Sequence, residues 1–496
     1  MSLRALPALL ALLALAGCGF TAVTTDAQPV AVAHADTSAP LARTNWSPTD
    51  LARVHSILED SLRSPYFDHA GVAIADESGR LLYGKNVDRG FAPASTLKVL
   101  VAATSLATLG TNARLDTSLA SLDHPDSEGR IDDLWLVGGG DPTLDPIALH
   151  DGIAALYRDG VRRVDGDVIV DATSFTTPEQ NKAWAPDDFE YGYAAGTSAI
   201  SLNWNVIEFK VMPTRVGEPA RVTVFPADPS IIIHGTPMTG YDTTLTIDRT
   251  KPGLNEFNIR GSIAQGWEQS YFRPVDGIPL WAAQVVAQML RDQHIRFDGQ
   301  ARLGTDPIAV QTLWEHRSPP LHTMIKQMLF ESDNHIAEQL LRVLGTTGGD
   351  GLMVTDGSEE AGARVERAFM HGRDVPMPGL HIVDGSGLAE RDRIAPITIV
   401  RLLEVADHLP IAHAYVSAFP RAGIEGTVRH HDLGPALGRV HAKSGHIDGV
   451  NSLVGYVDTY HHGRLAFAFL VNAPYADDAI SIPVGIDRAL DELVSL

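Results

Sequence analysis

The segment 99–109, VLVAATSLATL, is apolar almost all round and ends at Gly110. A helix with no polar face can only lie between other elements, so this chain has to build a domain around it. The residues that introduce it are Pro93-Ala94-Ser95-Thr96-Leu97-Lys98. Ser95 and Lys98, three apart at a helix start, share one face one turn apart. A serine hydroxyl is a weak nucleophile that needs a base within hydrogen-bond reach and donors for the developing oxyanion. A buried lysine gives up its proton far more readily than an exposed one, and a helix N-terminus favours negative charge near the serine. Taken alone, the same four residues are better described as a capping serine followed by a surface lysine, so other motifs must decide.

Around this helix the patterning is consistent with one interrupted domain. Leu51, Val54, Ile57, Leu58 and Leu62 predict an amphipathic helix over 48–63. Two short strands are expected over 71–75 and 81–84, around a turn at Glu77-Ser78-Gly79. Residues 320–330 and 335–344 read as helices separated by Ser332-Asp333-Asn334. Strands follow over 438–444, 452–458 and 465–472, with a hairpin at Tyr460-His461-His462-Gly463, and a last helix covers 482–496. If the early strand pair joins the late strands, the fold class is α+β: one antiparallel sheet flanked by helices. The intervening 115–309 has alternating strands, many Gly and Pro turns and one long helix over 280–293, and predicts one or two inserted β-rich domains. The division is therefore 46–114 with 310–496, interrupted by 115–309.

At the N-terminus an apolar run over 5–16 is too short to span a bilayer and has the form of a secretory signal. It ends in Leu15-Ala16-Gly17-Cys18, which resembles the lipobox of bacterial lipoproteins, where the cysteine is acylated and becomes the new N-terminus. Cys18 is the one cysteine in the chain, so an internal disulfide is excluded and lipidation explains it better than an ordinary signal peptide does. The expected organisation is a signal peptide over 1–17 and a flexible tether over 18–45. The expected location is the periplasm or cell envelope, with the protein held on a membrane by its acylated cysteine. Gly19, where an inner-membrane retention signal would carry Asp, points to the outer membrane.

A formal net charge of −22 and the lack of any Lys/Arg run exclude nucleic acid as a partner. His430-His431 and His461-His462 lack helical zinc-ligand spacing and read as solvated loop pairs, so no metal is expected. Gly138 to Asp141 is not followed by Gly-Lys-Ser/Thr, which makes it a tight turn and not a phosphate loop. No cofactor is expected.

The deciding motifs are Ser332-Asp333-Asn334, in a break between helices, and Lys443-Ser444-Gly445, on a strand near the C-terminus. With Ser95-x-x-Lys98 they complete the trio found in penicillin-binding proteins and class A β-lactamases, in the right order and on the right elements. The chain resembles, more specifically, the DD-carboxypeptidase/endopeptidase family of penicillin-binding protein 4, the class C low-molecular-mass penicillin-binding proteins. The likeness runs from Pro48 to the end. It includes Gly139-Gly140-Asp141-Pro142-Thr143-Leu144, Ser198-Ala199 with Asn203 and Asn205, Asp384-Gly385-Ser386-Gly387-Leu388, and the stretch 423–427.

The resemblance implies a penicillin-binding/β-lactamase-like transpeptidase domain acting on peptidoglycan peptide, with β-lactam antibiotics as covalent inhibitors. Ser95 would attack a D-Ala-D-Ala or D-Ala-diaminopimelyl bond while Lys98 takes its proton. Ser332 would relay a proton to the leaving amine, and Asn334 would hold the substrate amide. Lys443 and Ser444, on the Lys443-Ser444-Gly445 strand, would bind the terminal carboxylate, with the amides of Ser95 and His446 as the oxyanion hole. Ser444 stands where many relatives have Thr, which keeps the hydroxyl. Ala389-Glu390 stand where relatives often have Ser-Arg, which puts in doubt an arginine contact to the stem-peptide side chain; Arg391 is a candidate substitute. Trp184, Asp187 and Tyr193 fall where the family places a side-chain pocket. There Asp187 either binds an ammonium group or is a solvated neighbour of Asp188. Two rival functions remain. A β-lactamase is disfavoured by the long insert and by the lack of a Glu-x-x-Leu-Asn segment after Ser332. A non-catalytic peptidoglycan-binding lipoprotein is disfavoured by the intact set of motif residues.

Overall fold

The computed structural model describes residues 46–175, 179–307, 310–347, 356–473 and 481–496. The signal segment 1–17, Cys18 and the tether 18–45 lie outside the described residues. Ser47 opens the first helix, Pro48–Ser61. Its hydroxyl accepts from the Asp50 amide at 3.1 Å and its own amide donates to Asp50 Oδ2 at 3.0 Å, so two helix-end donors are satisfied reciprocally. The helix buries Val54, Ile57 and Leu58 of the expected stripe.

The early strands, Ala70–Asp76 and Leu81–Lys85, do join the late ones. The sheet runs Val440–Ile447, Val450–Asp458, Arg464–Asn472, Ala70–Asp76, Leu81–Lys85, antiparallel throughout. Alternation along a strand sends neighbouring side chains to opposite faces, and here both faces are covered. Val72, Ile74, Phe467 and Phe469 pack with the first helix and the C-terminal helix, Ser481–Leu493. Ala73, Ala75, Ala466 and Ala468 pack with the apolar helix, Lys98–Leu109. Small alanines on that face let the helix come close, and every residue from Lys98 to Leu106 is buried. The helix stops at Gly110, whose φ of 92° suits a residue without Cβ. Helices Leu321–Glu331, Asn334–Thr347 and Pro396–His408 complete this layer. The α+β class is as expected.

The insert is less purely β than its sequence suggested. Its main sheet has the order Ala301–Leu303, Val168–Asp171, Leu134–Gly138, Asp116–Ser121, Gln311–Arg317, and its first three strands are parallel. Parallel neighbours require crossovers, and one of these is a helix that sequence reading missed, Pro146–Arg158. Asp145 caps it, accepting from the Ala148 amide at 2.7 Å, and Pro146 fills its first turn. Gly152 disguises it, since a mid-helix glycine normally weakens a helix. Here a Cβ at that position would sit 2.7 Å from the Trp314 ring, so the glycine lets a strand lie against the helix. The strand Gln311–Arg317 pairs with Asp116–Ser121, so the sheet continues past the 309/310 division read from the sequence. The expected helix over 280–293 is Ile278–Asp292. Two of the loop histidines are partly buried and partnered: His431 Nδ1 lies 2.5 Å from Asp487 Oδ1, and His462 stacks on Trp46 with centroids 4.2 Å apart.

Candidate active site

Ser95 sits on a single 3-10 turn, Ala94–Leu97, that leads directly into the buried helix. Two glycines allow other chain segments to close on this turn. A Cβ on Gly445 would lie 2.7 Å from the Pro93 carbonyl oxygen and 2.9 Å from the Thr96 amide nitrogen. A Cβ on Gly387, whose φ is +78°, would collide with the Ala94 carbonyl oxygen. Ser452 adds a hydrogen bond from its hydroxyl to the Pro93 carbonyl at 2.7 Å. Ala94 itself is held at φ 48°, a strained setting for an alanine and one that such enclosure can sustain.

Lys98 is fully buried, and its Nζ meets three acceptors: Ser95 Oγ at 2.9 Å, Asn334 Oδ1 at 2.7 Å and the Ser386 carbonyl at 2.8 Å. An ammonium donates to all three. A neutral amine has only two protons, and if Asn334 and Ser386 take these, its lone pair is left facing the Ser95 hydroxyl. Burial lowers Lys98 to about 8, against the opposing pull of the Asp384, Glu338 and Asp333 carboxylates. The rate of acylation at Ser95 is therefore expected to rise with pH through about 8, because below it the base carries a proton. A pH series of penicillin acylation rates checks this, and a flat profile across that value would contradict it.

Ser332 and Lys443 form a second pair. Ser332 ends helix Leu321–Glu331 in the left-handed region, φ 61°, and so turns its hydroxyl out of the helix line. Lys443 Nζ donates to Ser332 Oγ at 2.9 Å and to the Ser444 carbonyl at 2.6 Å. Burial, with the Lys98 charge nearby, holds Lys443 well below the usual lysine range. Asp333 caps the next helix through the Ile336 amide at 3.0 Å, and Asn334 Nδ2 donates to the Tyr193 carbonyl at 3.0 Å. Ser444 Oγ donates to Thr427 Oγ1 at 3.0 Å. Gly445 and His446 continue the strand along the nucleophile turn.

Ser95, Lys98, Ser332, Asn334, Lys443, Ser444 and Gly445 are thus brought together. Asp187 is exposed on the short turn Pro186–Glu190 and makes no hydrogen bond or ion pair among the described residues. Its neighbour Asp188 is the connected one, accepting from the Tyr193 hydroxyl at 2.7 Å. Trp184 is buried and donates to Asp384 Oδ2 at 2.8 Å. Ala389 packs with Trp184 and Ala194, whereas Glu390 and Arg391 are exposed. Sequence reading passed over Glu338 and had no signal for it: the residue falls off the apolar stripe of Ile336, Ala337, Leu340 and Leu341, and is buried because the helix Asn334–Thr347 is enclosed on every side from His335 to Gly345.

A serine beside a neutralisable lysine at the head of a buried helix belongs to serine-type hydrolases, and the helix–sheet–helix frame around it is the penicillin-binding one. The chain belongs to the D-Ala-D-Ala carboxypeptidase 3 (S13) family, whose model matches residues 53–493. It is 32% identical over 458 residues to the D-alanyl-D-alanine carboxypeptidase of Actinomadura sp. strain R39, covering 86% of this chain and 83% of that protein. It is 25% identical over 389 residues to the D-alanyl-D-alanine carboxypeptidase DacB of Haemophilus influenzae, covering 76% and 80%. The crystal structure of penicillin-binding protein 4 from Haemophilus influenzae superposes with a TM-score of 0.76 at 23% identity, covering 89% of this chain and 99% of that one. That likeness establishes the penicillin-binding fold expected from the motifs.

Proposed function

We propose that this protein hydrolyses D-alanyl peptide bonds of peptidoglycan, as carboxypeptidase on stem peptides and endopeptidase on cross-links, through an acyl-enzyme on Ser95. The observation that carries the reading is the 2.9 Å contact between Ser95 Oγ and a fully buried Lys98 Nζ. Ser95 Oγ bonds to the D-alanyl carbonyl carbon as its proton passes to Lys98. The oxyanion faces the amides of Ser95 and His446. The carbon–nitrogen bond then breaks, and the proton reaches the leaving amine by way of Ser332. Asn334 orients the substrate amide, and Lys443 with Ser444 receives the terminal carboxylate. Water attacks the ester, releases the peptide and restores the Ser95 hydroxyl. The two activities differ only in the leaving amine.

Support for penicillin as an inhibitor comes from the site's kinship with proteins that bind it: a second Haemophilus influenzae penicillin-binding protein 4 structure holds a β-lactam. A β-lactam acylates the same serine, but its leaving nitrogen stays tethered in the adduct, which slows the attack of water. The test is intact-mass spectrometry after fluorescent penicillin, followed by peptide mapping. One adduct, on the peptide that contains Ser95, is the expected result. An unlabelled folded protein would reject the catalytic reading in favour of a wall-binding one, and rapid loss of the adduct with turnover would favour a β-lactamase. The reading extends to the cell envelope, where Cys18, acylated, would hold the enzyme on a membrane. The mass of protein extracted from membranes tests this, since a mature chain that begins elsewhere than at a lipidated Cys18 rejects it.

A further inference from the structure

The reaction as described uses Lys98 but none of the carboxylates beneath it. Glu338 lies one turn beyond Asn334 on the same helix and is 2% exposed. Its carboxylate oxygens accept from the Gly385 amide at 3.1 and 3.2 Å and from the Ser386 amide at 2.8 Å. The Ser386 carbonyl is in turn one of the three acceptors around Lys98 Nζ. A single residue, Ser386, is thus gripped at its amide by the acid and at its carbonyl by the base. The segment has little freedom to shift. Asp384 holds its other end through the Gly387 amide at 2.6 Å and the Ala389 amide at 2.7 Å. A Cβ on Gly385 would lie 2.7 Å from the Ala337 carbonyl oxygen, so the loop is wedged against the helix that carries Glu338.

We propose that Glu338 is a positioning residue for Lys98: through the Ser386 backbone it holds the carbonyl that aims the amine at Ser95. This rests on Lys98 being the base. The groups that bear on Lys98 are Asp384, Glu338 and Asp333, with Lys443 opposing them. Those that bear on Glu338 are Asp384 beside it, Glu359, Glu366 and Asp392, and the Arg342 guanidinium. Burial, with Asp384 alongside, pushes Glu338 upward, while the hydrogen bonds from Ser386 and Gly385 favour its charged form. Removing the Glu338 charge withdraws an attraction for the ammonium, and the amine then becomes free at lower pH.

The experiment measures acylation by fluorescent penicillin across pH on the full chain, with rates expressed per titratable site, for wild type, Glu338→Gln and Glu338→Asp. Glutamine keeps the reach and loses the charge; its acid limb is expected to move to lower pH by roughly one unit. Aspartate keeps the charge and loses one methylene. Its limb is expected to stay while the limiting rate falls on the order of 10²-fold at an unchanged binding constant. Should the glutamine variant not fold, the aspartate variant decides alone. Wild-type limb and rate per site in the variants, even with fewer titratable sites, would reduce Glu338 to a packing role and overturn the proposal. A wild type that forms no adduct would instead remove the Lys98 reading beneath it.

Discussion

Lys98→Met is expected to slow acylation of Ser95 by roughly 10²–10⁴-fold, the range over which a positioned proton acceptor acts. Methionine matches the lysine chain as far as Cε and fills most of the same buried channel, so the helix and its apolar surroundings keep their packing. What disappears is the atom that lies 2.9 Å from Ser95 Oγ. Lys443 cannot replace it, because its Nζ is committed to Ser332 and to the Ser444 carbonyl. Lys98→Arg is no rescue either: a guanidinium stays charged at any pH the protein tolerates and cannot present a lone pair. Stopped-flow rates with fluorescent penicillin, alongside circular dichroism to confirm folding, provide the check. A folded methionine variant acylating at the wild-type rate would assign the base elsewhere.

Gly387→Ala is expected to destabilise the protein by roughly 3 kcal/mol or more and to abolish labelling in whatever fraction still folds. Two independent costs fall on one methyl group. The backbone at φ +78° disfavours any side chain, and the new Cβ would collide with the carbonyl oxygen of Ala94, the residue that precedes the nucleophile. Neither neighbour can retreat easily. Ala94 already holds a strained φ of 48°, and the glycine loop is anchored by Asp384. Denaturant unfolding compared with wild type measures the loss, and an alanine variant of unchanged midpoint would mean that the two segments are looser than their contacts imply.

The catalytic frame was legible because its elements carry strong local signals. The all-apolar helix had to be central, and the late strands are long, β-branched and aromatic. Ser95, Lys98, Ser332, Asn334, Lys443 and Ser444 declared themselves by short motifs whose spacing needs no knowledge of the fold. Glu338 did not, because what distinguishes it is a contact with Gly385 and Ser386, far along the chain. Asp187 was singled out by its place in the sequence, but the link to the site runs through Asp188 and Tyr193. In the insert, short strands and turn-rich text concealed a parallel arrangement, since periodicity reports which face is buried and not which strand is the neighbour. The helix Pro146–Arg158 was hidden by a glycine whose purpose, room for Trp314, exists only in three dimensions.

The order of strands in the main sheet also fixes when the enzyme can become active. Ala70–Asp76 is an inner strand only because Arg464–Asn472 lies beside it, and the strand that carries Lys443 reaches the nucleophile turn only by way of Val450–Asp458. A chain emerging from its N-terminus therefore presents Ser95 early but cannot assemble the pocket around it until almost the last residues have appeared. Pairings so distant along the chain form slowly. For a peptidoglycan hydrolase this amounts to a built-in delay: a polypeptide that lacks its last three strands cannot complete the site.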